Sequence, residues 1–371
     1  MLIAAIILIP LTGCQMQGQK TASAENNDDI LVGINYFAGW WPGEGSKWLT
    51  QWNHPNTGQD WRPEYPERLP LLGMYNSQET MDKEIIAASD YGVDFFAILW
   101  YYNDENVERV SPNSHLLNEG LEYFIKSRHA HRMKFFIEAC NSPPFHLFQD
   151  SQWAESVKVW VEAMKHPSYL RIDGRLVFKI IGAGRFLMDC AMDSDCAKRR
   201  VNLLRQKVRD AGLGEMVIAG GNTGLIDPNH WAGDVFDFAG DYMQITELKG
   251  KDTDYPYDTL ADYISQLRLE HTKDTIPYMP YVAAGFNDRP WGPGRPSFSL
   301  PTRQQWQREL RRIADDLNSL PNLGIPKRDG SLQKIFTIYA WNEFGEGGFV
   351  APTKGDGYMK LECIEEIFEK N

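Results

Sequence analysis

The sequence has no phosphate-cradling Gly-rich loop ending in Gly-Lys-Ser/Thr, no His-Glu-x-x-His pair and no paired Cys-x-x-Cys. Nucleotide-hydrolysing, zincin and zinc-ribbon readings are therefore without support. Gly182-Ala183-Gly184 follows a predicted strand, but the rest of a dinucleotide fingerprint is missing, and the segment reads as a turn. Positive charge is in deficit: 38 Lys and Arg stand against 50 Asp and Glu, a formal net charge of −12. Nucleic acid needs a basic footprint and anionic lipid a basic patch, so neither is an expected partner through charge. His54, His131, His166 and His271 have no ligand spacing, and no metal or cofactor is expected. No internal repeat is visible, and no Pro/Gly/Ser-rich linker divides the middle of the chain.

Cysteine is scarce, with five in all, and long apolar runs are confined to the start. Met1 to Gly13 is apolar but shorter than the ~20 residues of a permanent membrane span. It reads as the apolar region of a signal peptide. Leu11-Thr12-Gly13-Cys14 resembles a lipobox, which implies a lipidated Cys14, export and a membrane anchor. Residues 15–29 are small and polar, cannot bury enough surface to fold alone, and read as a tether. Of the remaining cysteines, Cys140, Cys190, Cys196 and Cys363, only Cys190 and Cys196 are close in sequence. Export permits disulfides, and these two are predicted to pair in an Asp-rich loop.

What is present is an alternation of short apolar strands with longer helical patterns over 371 residues. The strands are expected at Leu31–Tyr36, Val93–Trp100, Lys134–Glu138, Leu176–Ile180, Met216–Gly220, Phe236–Asp241, Tyr278–Val282 and Ile335–Trp341. Helices are expected at Gln78–Tyr91, Leu116–His131, Trp153–Met164, Ala197–Ala211, Leu260–Leu269, Arg303–Leu317 and Tyr358–Glu369. Eight strands separated by helices predict an α/β fold, a single (β/α)8 TIM barrel over residues 30–371 acting as a monomer. The connection Asn222–Asp234 is the weakest helical pattern, and a doubly wound open sheet is the alternative. The longest irregular insertion, Phe37–Asn76, follows the first strand and carries Trp40, Trp41, Trp48, Trp52 and Trp61. In a barrel that insertion lies on the C-terminal face, where active sites are built.

The strongest local feature is Ala340-Trp341-Asn342-Glu343-Phe344-Gly345-Glu346-Gly347-Gly348. An apolar strand turns abruptly polar, and two glutamates stand three apart among glycines, which allow tight turns and close backbone approach. Glycoside hydrolysis needs two carboxyl groups flanking the scissile bond. Neighbouring carboxylates also push their pKa values apart, which supplies an acid and a base at one pH. Glu343 and Glu346 are the candidate catalytic pair.

The Trp-Asn-Glu-x-x-Glu-Gly stretch resembles glycoside hydrolase family 99 and its broader relatives, the family 99-like or WbsX-type domains. Gly33–Trp40 is similar to the family's opening strand, Tyr91–Phe96 with Trp100-Tyr101 to its second, and His166–Tyr169 with Asp173–Leu176 to the approach to its fourth. Lys354–Glu362 is similar to the tail after the motif. The resemblance implies a barrel and retaining endo-α-mannosidase chemistry, with an oligo- or polysaccharide as substrate. It implies that Glu343 is the base toward the substrate's 2-hydroxyl and Glu346 the general acid/base. Where the mannosidases carry Trp-His this sequence has Phe344-Gly345, which is closer to the WbsX-type branch. A non-catalytic glycan-binding lipoprotein is the alternative function, and a WbsX-type glycosyltransferase ranks below it because no nucleotide-sugar site is visible.

Sugar rings stack their C–H faces on aromatic side chains and direct hydroxyls to polar groups. Tyr36, Trp40, Trp41, Trp100, Tyr101, Tyr242 and Trp291 fall at or beyond strand C-termini and are the candidate platforms. Glu138, Asn141, Asn222, Asp241 and Asn342 end or follow strands and are the candidate hydroxyl partners, with Asn287-Asp288 beyond the seventh strand. Trp153, Trp160, Trp231 and Trp306 lie in or beside helical patterns and are assigned to structure.

Overall fold

The structure, a computed structural model, describes residues 29–50, 54–103, 113–221, 228–245 and 252–368. Cys14, residues 15–28 of the tether, Trp52 and Asn222 lie outside the described residues.

Eight parallel strands form the core: β1 Leu31–Tyr36, β2 Phe95–Tyr101, β3 Lys134–Cys140, β4 Arg175–Ile180, β5 Met216–Gly220, β6 Phe238–Gly240, β7 in two halves, Tyr278–Met279 and Tyr281–Ala283, and β8 Ile335–Tyr339. Each pairs with its predecessor, and β8 also pairs with β1, Ile34 opposite Ile338. The first half of β7 pairs with β6 and the second half with β8, so the sheet closes through β7. Pro280 separates the halves, since proline has no N–H to give a ladder. The barrel is closed, which removes the open-sheet alternative. Strands buried on both faces read as continuous apolar runs, as in Phe-Phe-Ala-Ile-Leu-Trp-Tyr of β2, all seven buried.

The helices are α1 Gln78–Asp90, α2 Glu119–Lys126, α3 Asp150–Met164, α4 Ala183–Asp189, α5 Ser194–Asp210, α6 Pro228–Val235, α7 Tyr257–His271, α8 Arg303–Ser319 and α9 Met359–Phe368. The weak β5–β6 connection does hold a helix, α6. Gly182-Ala183-Gly184 is no turn: Gly182 is the N-cap of α4, which the sequence pattern did not anticipate. The long helix expected at Leu116–His131 stops at Lys126, where Ser127 becomes extended.

Cys190 and Cys196, the pair expected to bridge on export, lie side by side as thiols in the structure. Mass spectrometry of the exported protein without reductant should find the disulfide, and two free thiols there would remove it. The two residues flank no loose loop. Cys190 caps the end of α4, Cys196 sits in the first turn of α5, and the two side chains meet through a thiol hydrogen bond. Burial pushes the Cys190 thiol up to about 12, and the contact with Cys196 adds to the shift.

Several polar groups inside the barrel pair with one another. The Lys179 ammonium of β4 lies 2.5 Å from Glu138 Oε1 of β3, both fully buried. Asn35 Nδ2 donates to Glu138 Oε2 at 2.6 Å, and Lys179 Nζ donates to the Asp241 carbonyl at 2.6 Å. Asp241 Oδ2 accepts from the Tyr278 hydroxyl and faces His271. Burial alone would lower the His271 pKa, but Asp241 and Asp274 outweigh it and lift it to about 9.

Candidate active site

The turn that carries the two glutamates is fixed from both sides. Asn342–Glu343 pairs antiparallel with Gly348–Phe349, a short hairpin capping β8. Asn342 Oδ1 accepts from the Phe37 amide, and the Trp341 amide donates to the Asn35 carbonyl, which ties the turn to β1. Phe344 stacks on Trp48 and packs on Trp40. The Trp-rich insertion thus becomes a buried aromatic cluster beneath the turn. Buried Arg68 donates to the carbonyls of Phe344 and Asn287 and to Asn287 Oδ1. Gly345 has no room for a side chain: a Cβ there would lie 2.2 Å from Trp291 Nε1. Gly347 has φ +73 and so takes the left-handed backbone that lets the chain double back to Gly348.

Both glutamates face one cleft of about 810 Å³, large for the ~300–1,000 Å³ of ligand sites. Its wall includes Trp41, Lys47, Tyr101, Tyr242 and Trp291. Glu343 Oε1 accepts from the Tyr242 hydroxyl at 2.7 Å, and its buried Oε2 has no hydrogen-bond partner. Burial holds the Glu343 carboxyl well above the ordinary carboxylate range, and the like charge of Glu346 adds to it. Tyr242, Lys47 and Arg295 oppose the shift. Glu346 is held differently: Arg295 Nη2 donates to its Oε1 at 3.0 Å and the Tyr339 hydroxyl to its Oε2. Arg295 Nε also donates to Asp288 Oδ2 at 2.5 Å. Burial disfavours the Arg295 charge, yet Glu346 and Asp288 together push its pKa above the usual guanidinium value. Lys47 Nζ stands 5.4 Å from the centre of the Trp291 ring; burial lowers its pKa, and the two glutamates partly restore it. The cleft therefore holds two carboxyl groups in contrasting surroundings, one buried with a single phenol partner, one clamped by a cation and a phenol.

Of the expected sugar-binding residues, Trp41, Tyr101, Tyr242 and Trp291 line this cleft with the glutamates. The others do not. Tyr36, Trp40 and Asn342 face a separate crevice of only about 10 Å³, because the Tyr36 hydroxyl is turned outward to Glu84 of α1. Trp100 points between strand and helix, edge-on to Trp160 of α3. Glu138 and Asp241 are committed to the barrel interior. Asn141 exchanges hydrogen bonds with the Gly182 backbone and fixes the start of α4. Strand alternation sends successive side chains to opposite faces, and a one-residue difference separates cleft from core. Sequence reasoning missed Lys47, Arg295 and the segment Phe145–Phe148. Their only signal was position, since each lies in a connection that follows a barrel strand.

Fold and cleft together define a (β/α)8 barrel with paired glutamates on the turn that leaves its last strand. No protein-family model matches the chain, and no curated protein matches its sequence. Among solved structures it is similar to a glycoside hydrolase-like protein, at 16% identity and a TM-score of 0.56, over 95% of this chain and 97% of that one. It is similar in the same degree to the family 99 endo-α-mannosidase of Bacteroides thetaiotaomicron, at 15% identity and a TM-score of 0.56, over 92% and 98% of the two chains. At such identities the likeness is one of fold.

Proposed function

We propose that this protein is a retaining, endo-acting glycoside hydrolase related to family 99, cleaving an α-linked, mannan-like glycan. The observation that carries this reading is the glutamate pair: two carboxyl groups three residues apart, in contrasting electrostatic settings, in one aromatic-walled cleft. The whole-chain likeness in fold to an endo-α-mannosidase supports it.

In the proposed reaction the Glu343 carboxylate removes the proton from the substrate's 2-hydroxyl. That oxygen attacks the anomeric carbon as the glycosidic bond breaks, and the leaving oxygen takes a proton from Glu346. The Glu346 carboxylate then takes a proton from water, which opens the 1,2-anhydro ring, and Glu343 returns its proton to O2. A raised pKa suits Glu343 to this task, since a general base works best when its pKa lies near the working pH. Incubation with a panel of α-mannans and other glycans should release new reducing ends from at least one. Binding without any cleavage across the panel would replace the enzyme by a glycan-holding protein.

The same proposal places the enzyme outside the cytoplasm on a lipid anchor at Cys14. Among the described residues no helix is long and apolar enough to cross a membrane. Cys14→Ala should move the protein from the membrane to the soluble fraction. Wild-type protein that is soluble and carries no acyl chain would end the lipoprotein reading.

A further inference from the structure

The cleft extends beyond the glutamates to a feature that the proposed chemistry does not use. A smaller cavity of about 230 Å³ shares Glu343, Glu346, Tyr101, Cys140 and Tyr242 with the cleft but not His146, Phe148 or Gln152, which line only the larger space. His146 and Phe148 belong to the segment between β3 and α3, and neither lines the smaller cavity beside the glutamates. Phe148 is 56% exposed, one of the few large apolar side chains in that state. Single exposed apolar residues are common and by themselves mean little.

Phe148 differs because its backbone is pinned. Arg200 of α5, itself buried, donates from Nη2 to the Phe148 carbonyl and from Nη1 to the Leu147 carbonyl, each at 2.7 Å, and from Nε to Asp150. Asp189, at the end of α4, accepts from the Leu147 amide at 3.1 Å and contacts His146 Nδ1 at 3.2 Å. The Phe148 ring then stacks on His146, centres 4.3 Å apart and planes 22° apart. Inward from it, Phe145 packs edge-on against Tyr101, which reaches the glutamate end. An exposed ring held rigid on an anchored backbone presents its free face to a ligand at little cost in ordering.

We propose that Phe148, backed by His146, is a distal sugar platform that stacks a hexose unit at least one residue away from the cleaved bond. This rests on the glycoside hydrolase reading and adds a chain-length requirement to it. The occupant is the continuation of the same glycan, because the platform and the glutamates line one continuous cleft.

The test uses α-manno-oligosaccharides of two to six units. Phe148→Ala should raise KM for the longest by roughly 5–10-fold, the worth of one aromatic stacking contact, with little change in kcat. It should leave the shortest cleaved oligosaccharide unaffected, and Phe148→Trp should retain wild-type behaviour. The side chain is exposed, so the fold should survive truncation; an unchanged melting temperature checks this. The same chain-length dependence should appear in calorimetric binding to the Glu343→Gln background. If wild type cleaves these glycans but Phe148→Ala changes short and long ones alike, or neither, the platform is wrong and the enzyme reading stands. If wild type neither cleaves nor binds any of them, the mannan-like substrate falls and the platform falls with it.

Discussion

Glu343→Gln and Glu346→Gln should each lose ~10²–10⁴-fold in turnover on the natural glycan while glycan binding persists, the usual contribution of a general acid or base. The two should part on a substrate with an activated leaving group. Such a group departs without a proton, so Glu346→Gln is partly spared in the first step. Glu343→Gln is not spared, because attack by the 2-hydroxyl still needs its base. A 2-deoxy or 2-O-methyl substrate should fail even with wild type. The opposite pattern, with Glu343→Gln spared, would assign Glu343 as the acid, which its buried surroundings would also suit. Full turnover by both variants would remove the glutamates from the chemistry altogether.

The same Glu343→Gln variant should be more stable than wild type above neutral pH. The folded-state pKa of Glu343 is raised, so its favourable contribution is complete below the unfolded carboxyl value of ~4.3 and is lost as pH rises through the folded value. Glutamine keeps the acceptor for Tyr242 and never ionises. The melting temperature gap should therefore open from pH 4 to pH 8; a gap of constant size would show that Glu343 carries no buried-charge penalty.

Lys179→Met should cost about 3–5 kcal/mol, because it leaves the Glu138 carboxylate buried without its cation. Burial raises the Glu138 pKa, and Lys179 and Asn35 hold it down. Urea unfolding should show the midpoint fall with the slope unchanged. Replacing Glu138 by Leu in the same protein should recover much of the loss, since the two residues form one unit. A small effect of Lys179→Met, or strict additivity with the second change, would contradict a structural ion pair. Glu138 as a sugar ligand would instead raise KM and leave stability alone.

Much of the architecture was legible in the chain. Strands such as Leu31–Tyr36 and Met216–Gly220 match their expected bounds, because parallel barrel strands are apolar on both faces and stand out from the amphipathic helices between them. The glutamate turn was legible too, since two acids among glycines directly after an apolar strand make a local pattern. The roles of single strand-end residues were not. Glu138, Asp241 and Trp100 sit where ligand-binding residues often sit, yet each meets a partner remote in sequence: Lys179, His271 and Trp160. The meeting of Cys190 with Cys196 likewise depended on an unanticipated helix, α4, that sets their approach.

The sequence by itself determined the eight-strand alternation and the place of Glu343 and Glu346, because hydrophobic period and turn chemistry are local properties. Only the tertiary structure decided that Arg295 clamps Glu346, that Tyr242 and Lys47 attend Glu343, and that Arg200 holds Phe148 at the cleft rim. Those pairings span 51, 101, 296 and 52 positions along the chain. No local pattern encodes such a pairing, since it exists only after barrel closure has brought the ends of separate strands to one face.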